Sequence, residues 1–380
     1  MATLVLSEEQ ELLRDTAREF VKERSPVASL RALRDKKDAT GFDRKLWKEM
    51  AELGWAGIIF PEEYGGSELG YAELGVVLEE CGRTLTAQPV LSTVLLGGNA
   101  VRLAGSEQQK KDLLTGVCAG DTVLALAFEE QARFAPYQVA TRAEAADGGY
   151  RLSGEKTFVL DGHVADQLIV AGRTSGAPGD REGITLFVVP AGAGGVSITR
   201  TIMVDSRNAA KVTLDGVQVE RQAVLGEPDH GAEVLDPLLD RATIGLTAEM
   251  LGGTVEAYER TIEYLKTREQ FGTVIGSFQA LKHRAAQMFV EVELSRSVVL
   301  EALRAVDEER ADVPFLASAA KARLSDTAIL VGCEAVQMFG GIGMTDEEEI
   351  GLVLKRARAA SLTFGDAAWH RDRFARLRGF

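Results

Sequence analysis

Along the chain, apolar residues fall at helical spacing, then in short runs of strand length, then at helical spacing again. In residues 1–122 the helical pattern covers Ser7 to Arg24, Asp43 to Leu53, Gly70 to Cys81, Pro89 to Ala104 and Ser106 to Gly116. Punctuation such as Gly65-Gly66 separates these segments. The first begins at Leu6-Ser7-Glu8-Glu9-Gln10, where Ser7 and Gln10 have the spacing of a capping box. It runs on through Leu12, Leu13, Ala17, Phe20 and Val21.

From 123 to 228 the apolar runs shorten. They are Val123 to Phe128, Tyr150-Arg151-Leu152, Thr157 to Leu160, Leu168 to Ala171, Ile184 to Val189, Val196 to Val204 and Ala210 to Val219. Several are β-branched, and Asp147-Gly148-Gly149 and Asp215-Gly216 read as turns between them. So many strands in about 100 residues predict a small barrel or sandwich. From 229 to 380 long helical patterns return, among them Leu238 to Thr267 and Phe278 to Val306, which predict an antiparallel four-helix bundle. The expected fold is an α+β multidomain chain: an N-terminal helical domain (1–122), a middle β-barrel (123–228) and a C-terminal four-helix bundle (229–380).

Composition narrows the partners. The 380 residues, 46% hydrophobic, suffice for more than one core. A net charge of -14 repels a phosphate backbone, so nucleic acid is not expected as a partner. Cys81, Cys118 and Cys333 have neither metal-ligand nor disulfide-framework spacing and read as buried small residues. The N-terminus reads as a helix start rather than a targeting segment. No uninterrupted apolar run reaches membrane-spanning length, so a cytoplasmic protein with no membrane partner is expected.

Two stretches carry candidate chemistry. The first is Tyr264-Leu265-Lys266-Thr267-Arg268-Glu269-Gln270-Phe271-Gly272, followed by Ile275-Gly276-Ser277-Phe278-Gln279. It puts Arg268 at a helix end before a glycine-punctuated loop. A guanidinium there reaches a phosphate with a planar fork of donors, and Phe271 can stack on a flat ring. Taken singly, each reads sooner as a helix-end cation or a core aromatic. The second is Gln337-Met338-Phe339-Gly340-Gly341-Ile342-Gly343-Met344-Thr345. Its glycines lack the spacing and the preceding strand of a dinucleotide fingerprint. Met338, Phe339 and Met344 read as packing residues.

Together the two stretches closely resemble the paired signatures of the acyl-CoA dehydrogenase family, and the helix, barrel and bundle order resembles that family's layout. The resemblance implies FAD as cofactor and an acyl-CoA thioester as substrate, of fatty-acyl or steroid side-chain type. The α-proton passes to a carboxylate and the β-hydrogen to the flavin as hydride. It further implies that FAD lies across a subunit interface. Arg268, Gln270, Phe271, Gly272, Phe278, Gln279, Gln337, Gly340 and Gly341 then cover the ADP half of a flavin held by the neighbouring subunit, while the flavin ring lies on the chain's own β-domain. An electron-transfer flavoprotein is the implied electron acceptor.

The ring side departs from the family. The loop after the first barrel strand, usually of Thr-Glu-Pro-Gly-Ala-Gly-Ser-Asp type, reads Phe128-Glu129-Glu130-Gln131-Ala132-Arg133-Phe134-Ala135. The strand that presents Trp, a branched residue and Thr or Ser reads Phe158-Val159-Leu160, so Leu160 replaces a hydroxyl. The usual base, a Glu before a Gly near the C-terminus, is Phe364 before Gly365, and Asp366 has no family role. An alternative base site, a carboxylate before an Arg on a bundle helix, matches Asp240-Arg241. This makes Asp240 a candidate base and Arg241 a candidate substrate contact. Asp is shorter than Glu by about 1 Å, a displacement that can cost about 100-fold in rate. His283 is a candidate cofactor contact or a structural histidine. His370, with Arg371 and Arg373, reads as a helix face near the nucleotide end.

Four readings follow. The first is one subunit type of a hetero-tetramer, paired with a paralogous subunit that keeps the base and the ring site. The second is a homotetrameric dehydrogenase using Asp240. The third is an oxidase that passes electrons to oxygen. The fourth is a flavoprotein of this fold that protects DNA under stress, which the net charge of -14 disfavours.

Overall fold

The computed structural model describes residues 5–380. Its helices are α1 (Glu8–Arg24), α2 (Val27–Asp35), α3 (Arg44–Glu52), α4 (Tyr71–Arg83), α5 (Asn99–Ala104), α6 (Glu107–Cys118), α7 (Gly231–Thr267), α8 (Gln279–Asp307), α9 (Val313–Phe339), α10 (Ile350–Leu362) and α11 (Ala367–Leu377). The strands are β1 (Leu124–Ala127), β2 (Arg142–Ala146), β3 (Gly149–Leu160), β4 (Gln167–Arg173), β5 (Ile184–Pro190), β6 (Val196–Ile202), β7 (Asn208–Glu220), β8 (Val224–Leu225), β9 (Glu269–Gln270) and β10 (Thr273–Val274). Compactness groups them into two units. One holds the residues up to Ala32, Tyr71–Thr86 and Thr243–Phe380; the other holds Leu33–Gly70 and Ala87–Ala242.

The helical unit is built on α8, α9, α10 and the later part of α7, with α1, α4 and α11 packed on them. α1 starts where the sequence places it, with both halves of the Ser7–Gln10 capping box formed. Gly82 and Gly252 admit the closest backbone approach of α4 and α7. A Cβ at Gly82 would lie 2.0 Å from the Glu249 carbonyl oxygen, and one at Gly252 would lie 1.7 Å from that of Glu79. One expectation is corrected here. The segment Val313–Met344 is long and apolar enough to cross a membrane by length and composition alone. In this unit it is the packed centre of the bundle, touched by α8, α10 and α11.

The strand unit holds one eight-stranded sheet in the order β6-β7-β3-β2-β4-β5-β8, with β1 parallel to β4, beside α3, α5 and α6. Among the described residues no hydrogen bonds join β6 to β8. The sheet nonetheless wraps a single core to which β1, β2, β3, β4, β5 and β7 all contribute, including Leu152, Val170, Phe187 and Val212. β4 is buried along almost its whole length.

Three expectations shift in detail. Tyr150–Leu152 and Thr157–Leu160 are one strand, β3, whose pairing with β7 slips between Leu152 and Gly154 and again between Lys156 and Val159. Asp215-Gly216 is not a turn but part of β7 opposite the first slip, with Gly216 at φ 64. Asp147-Gly148 is the tight turn expected, since Ala146 pairs with Gly149. Pro89 to Ala104 is helical, but its first part, Val90–Gly98, is a fully buried π-helix.

Candidate functional site

The two motif stretches lie in the helical unit and start from one point. α7 ends at Thr267, and the amide of Arg268 still donates to the Tyr264 carbonyl at 2.8 Å. α9 ends at Phe339. Tyr264 and Phe339 stack with centroids 4.3 Å apart, and the Tyr264 hydroxyl donates to the Phe339 carbonyl at 3.4 Å. The hairpin β9–β10 therefore leaves α7, and the turn Gly340–Met344 leaves α9, from adjacent helix ends.

The hairpin loop is Phe271-Gly272, with φ 56 and 76. Positive φ at both central residues is the type I′ geometry, which suits Gly272 and strains Phe271. That strained residue is 93% exposed, and its ring meets that of Phe278 edge on at 6.2 Å. A large aromatic held outward at such a position is placed for something outside the chain. The Arg268 guanidinium has no hydrogen-bond or ion-pair partner among the described residues and is exposed. Gln270, Gln279, Gln337, Gly340 and Gly341 are exposed as well. No atom lies within 4 Å of where a Cβ would stand at Gly272, Gly340 or Gly341. Open glycine backbone, a free guanidinium and an outward aromatic fit the pyrophosphate and adenine of a dinucleotide. Met338 and Phe339 are buried as expected, whereas Met344 is exposed.

The position of the usual base is closed. Phe364 is 2% exposed and sits at φ 59, followed by Gly365 at φ 100. Behind it lies a buried polar network that sequence reading missed. Lys321 Nζ donates to the carbonyls of Gly365 (2.8 Å) and Ser361 (3.0 Å). His370 Nε2 lies 2.9 Å from the Phe364 carbonyl, and Nδ1 lies 3.4 Å from Ser318 Oγ. Burial first, then the neighbouring Lys321, push the His370 imidazole down to about 3, so it is neutral. Burial pushes the Lys321 amine down to about 7. His370 is thus a buried loop anchor rather than part of an exposed helix face. Arg371 pairs with Asp326, and Arg373 donates to Ser318 Oγ and the Pro314 carbonyl. Asp366 caps α11 through the Trp369 amide.

Asp240 is in the strand unit, on the early part of α7, where it is 5% exposed and already engaged by neighbouring groups. Arg241 donates through its guanidinium to the Pro237 carbonyl one turn back at 3.1 Å. His283 is exposed on α8. Cys81 and Cys118 are buried, but Cys333 is exposed, against expectation. Among the described residues no group of His, Cys, Asp and Glu has the makings of a metal site.

On the strand unit, the loop after β1 separates two adjacent carboxylates. Glu130 accepts from the amides of Ala140 (2.7 Å) and Thr141 (3.0 Å), from Thr141 Oγ1 (2.7 Å) and from Lys156 Nζ (2.5 Å). These donors, with Lys156 foremost, outweigh burial and hold Glu130 below the usual carboxylate range. Glu129 makes no side-chain hydrogen bond or ion pair among the described residues, and burial alone pushes it up to about 7. Its carbonyl accepts from the Thr157 amide at 2.8 Å, and Thr157 Oγ1 is itself buried without a partner. Phe128 and Phe134 meet edge on at 6.2 Å, while Phe158 is turned outward at φ 51. Leu160 lines a small hollow with Phe42, Gln88 and Leu91. Thr157 Oγ1, which was given no role, is a buried polar atom without a partner among the described residues.

Comparison with known proteins follows this layout. Three family models match in order: acyl-CoA dehydrogenase N-terminal domain (7–121), middle domain (125–217) and C-terminal domain (229–377). The chain is 31% identical over 381 residues to a probable acyl-CoA dehydrogenase, YngJ, of Bacillus subtilis, covering 98% of each protein. Its structure resembles butyryl-CoA dehydrogenase from Megasphaera elsdenii at a TM-score of 0.91 and 27% identity, over 100% of both chains. It also resembles a chain of the ChsE4–ChsE5 complex from Mycobacterium tuberculosis at a TM-score of 0.89 and 27% identity, over 99% of both.

Proposed function

This chain belongs to the acyl-CoA dehydrogenase family, whose cofactor is FAD, and on that premise we propose that it is one subunit type of a hetero-oligomeric acyl-CoA dehydrogenase. The observation that carries the reading is an asymmetry. The nucleotide-side segments around Arg268 and Phe271 are open, outward and unpartnered, while the usual base position is a buried Phe364. A free guanidinium and a strained exposed aromatic serve a cofactor only if another chain presents it. The similarity to a chain of the ChsE4–ChsE5 complex is consistent with two different subunits.

In this reading Arg268 meets the pyrophosphate, Phe271 packs on the adenine side, and Gly340 and Gly341 let backbone approach closely. Bound FAD supplies the hydride acceptor. This chain's residues bind and orient the nucleotide half, and the paralogous partner supplies the carboxylate that takes the α-proton. α8 carries a second outward apolar group, Phe289, Val290 and Leu294, which suits burial between subunits in a tetramer. An electron-transfer flavoprotein is the proposed acceptor, and a coenzyme A thioester the substrate.

The test is the flavin-to-chain ratio. Purified alone, the chain should carry little FAD. Co-expressed with its paralogue, it should form an equimolar complex with one FAD per pair of chains. One FAD per chain in a pure homo-oligomer active on an acyl-CoA would overturn the proposal and restore the homotetrameric enzyme.

A further inference from the structure

We propose that Arg260 is a positioning residue for the glycine turn Gly340–Met344: it holds the exit of the turn while Tyr264 stacks at its entry, so one face of α7 sets both ends for a nucleotide. This role rests on the reading of that turn as a nucleotide contact, and it falls to a residue outside both motif stretches.

Arg260 and Tyr264 lie on one face of α7, about 6 Å apart along the helix axis. Tyr264 stacks on Phe339, the last residue of α9, immediately before the turn. The Arg260 guanidinium reaches the far side. Its Nη1 lies 2.5 Å from Glu349 Oε2, and Nη2 lies 2.8 Å from Glu348 Oε1. A planar fork shared between two consecutive carboxylates fixes their orientation as well as their distance. Both glutamates are tied on to α10. Glu348 Oε1 also accepts from the Glu349 amide at 2.9 Å, and the Glu349 carbonyl accepts from the amides of Leu352 (2.8 Å) and Val353 (3.2 Å). Just upstream, Arg31 of α2 pairs with Asp346 at 3.0 Å. Residues 346–349 are thus held by arginines from two other helices.

The turn between these anchors depends on them unevenly. Thr345 closes its second half, the amide and hydroxyl both donating to the Ile342 carbonyl, at 3.0 and 2.8 Å. Gly343 is packed, since a Cβ there would lie 2.7 Å from the Val336 carbonyl oxygen. Gly340 and Gly341 differ. Nothing lies within 4 Å of where a Cβ would stand at either, and Gly340 sits at φ 65. With no packing there, and with glycine having the most conformational freedom to lose, their shape is set by where the chain enters and leaves. Ordering one freed residue is equivalent to about a tenfold change in an equilibrium constant. A turn whose exit is already fixed spares a ligand that cost. Arg260 also neutralises Glu348 and Glu349, which would otherwise stand as two bare carboxylates beside a segment meant for a phosphate-bearing ligand.

Two measurements test this, one on the intact chain alone and one on the assembly that holds FAD, whether hetero- or homo-oligomeric. On the chain, amide hydrogen exchange across residues 340–345 should speed up about tenfold in Arg260→Gln, while the β9–β10 hairpin stays within about twofold of wild type. Glu348→Gln with Glu349→Gln should reproduce that change from the other side of the pair. Adding Arg260→Gln to those two should change nothing further, because the same contact is already gone. In the assembly, the FAD dissociation constant should rise about tenfold in Arg260→Gln. It should rise less in Arg260→Lys, which keeps the charge but serves one carboxylate at a time. A merely structural ion pair would speed exchange throughout the bundle and leave FAD affinity unmoved, and that result overturns the proposal. Unchanged exchange across residues 340–345 overturns it as well. The nucleotide reading fails separately. If Arg268→Ala and Arg260→Gln both leave FAD binding unchanged, that reading falls and takes this role with it, whereas an effect in Arg268→Ala alone removes only the positioning role of Arg260.

Discussion

Tyr264 and Phe339 stack in parallel, 4.3 Å between centroids and 15° between planes, and both motif segments leave their helices beside this contact. The hairpin that carries Arg268 and Phe271 leaves α7 one turn beyond Tyr264, and the glycine turn begins at the residue after Phe339. Replacing Tyr264 with Leu keeps apolar bulk but removes the stack and the hydroxyl. The expected stability loss is about 1 kcal/mol. FAD retention by the assembled enzyme should fall by more than that loss explains, because two binding segments lose their common reference. Denaturant midpoints and flavin occupancy in the same preparation check this. Unchanged occupancy would mean that each segment is held independently.

Arg268 should matter through geometry as well as charge. Arg268→Ala removes a charge-assisted contact to phosphate, about 1.5–3 kcal/mol. The dissociation constant of FAD in the assembled enzyme should rise by about ten- to a hundredfold. Arg268→Lys keeps the charge and loses the planar fork, so it should recover only part of the affinity. Neither variant should alter folding, since the side chain is exposed and unpartnered among the described residues. Equilibrium dialysis at two salt concentrations separates the cases. Full recovery by Lys would reduce the role of Arg268 to a point charge.

Much of this was legible in the sequence. The Ser7–Gln10 capping box, the strand-length runs and the long bundle helices follow from local chemistry, and both motif stretches lie at helix ends. Illegible features were those set by contacts distant in sequence. Lys321 reads as one cation on an apolar helix, yet it holds the loop 44 residues on through Gly365. The continuity of β3 across Gly154 depends on pairing with β7, which absorbs two slips that local pattern shows only as interruptions. Glu129 and Glu130 are identical in sequence terms. Only the sheet distinguishes them, by bringing Lys156 to one and leaving the other bare.

Asp240 distinguishes the two enzyme readings. It is buried and engaged by neighbouring groups, which favours a structural carboxylate. Asp240→Asn in the assembled enzyme should therefore keep turnover within a few-fold while lowering stability by about 1–3 kcal/mol, the usual cost of disturbing a buried polar partner. Steady-state kinetics and denaturant unfolding should be measured on one preparation. Abolished turnover in a folded, yellow protein would make Asp240 the base and return the homotetramer to first place.

Lys321 predicts a stability that depends on pH in a defined direction. In the unfolded chain its amine keeps a proton up to about 10.5, whereas in the fold burial lowers it to about 7. Between those values the unfolded state binds more protons, so raising the pH favours the folded state. The surrounding charges do not reverse this. Asp366 raises the amine only partly, and His370 is neutral across the whole range. Below pH 7 both states are protonated and the contribution is constant. Lys321→Met removes the titration but keeps the length of the side chain. Wild type should gain stability relative to the variant steadily from about pH 7 to about pH 10, and the Phe364–Gly365 turn should exchange its amides faster in the variant, having lost the donor to its carbonyl. Urea midpoints of both proteins at several pH values provide the comparison. Parallel curves across that range would show that Lys321 keeps its proton in the fold and that the buried network is ionic.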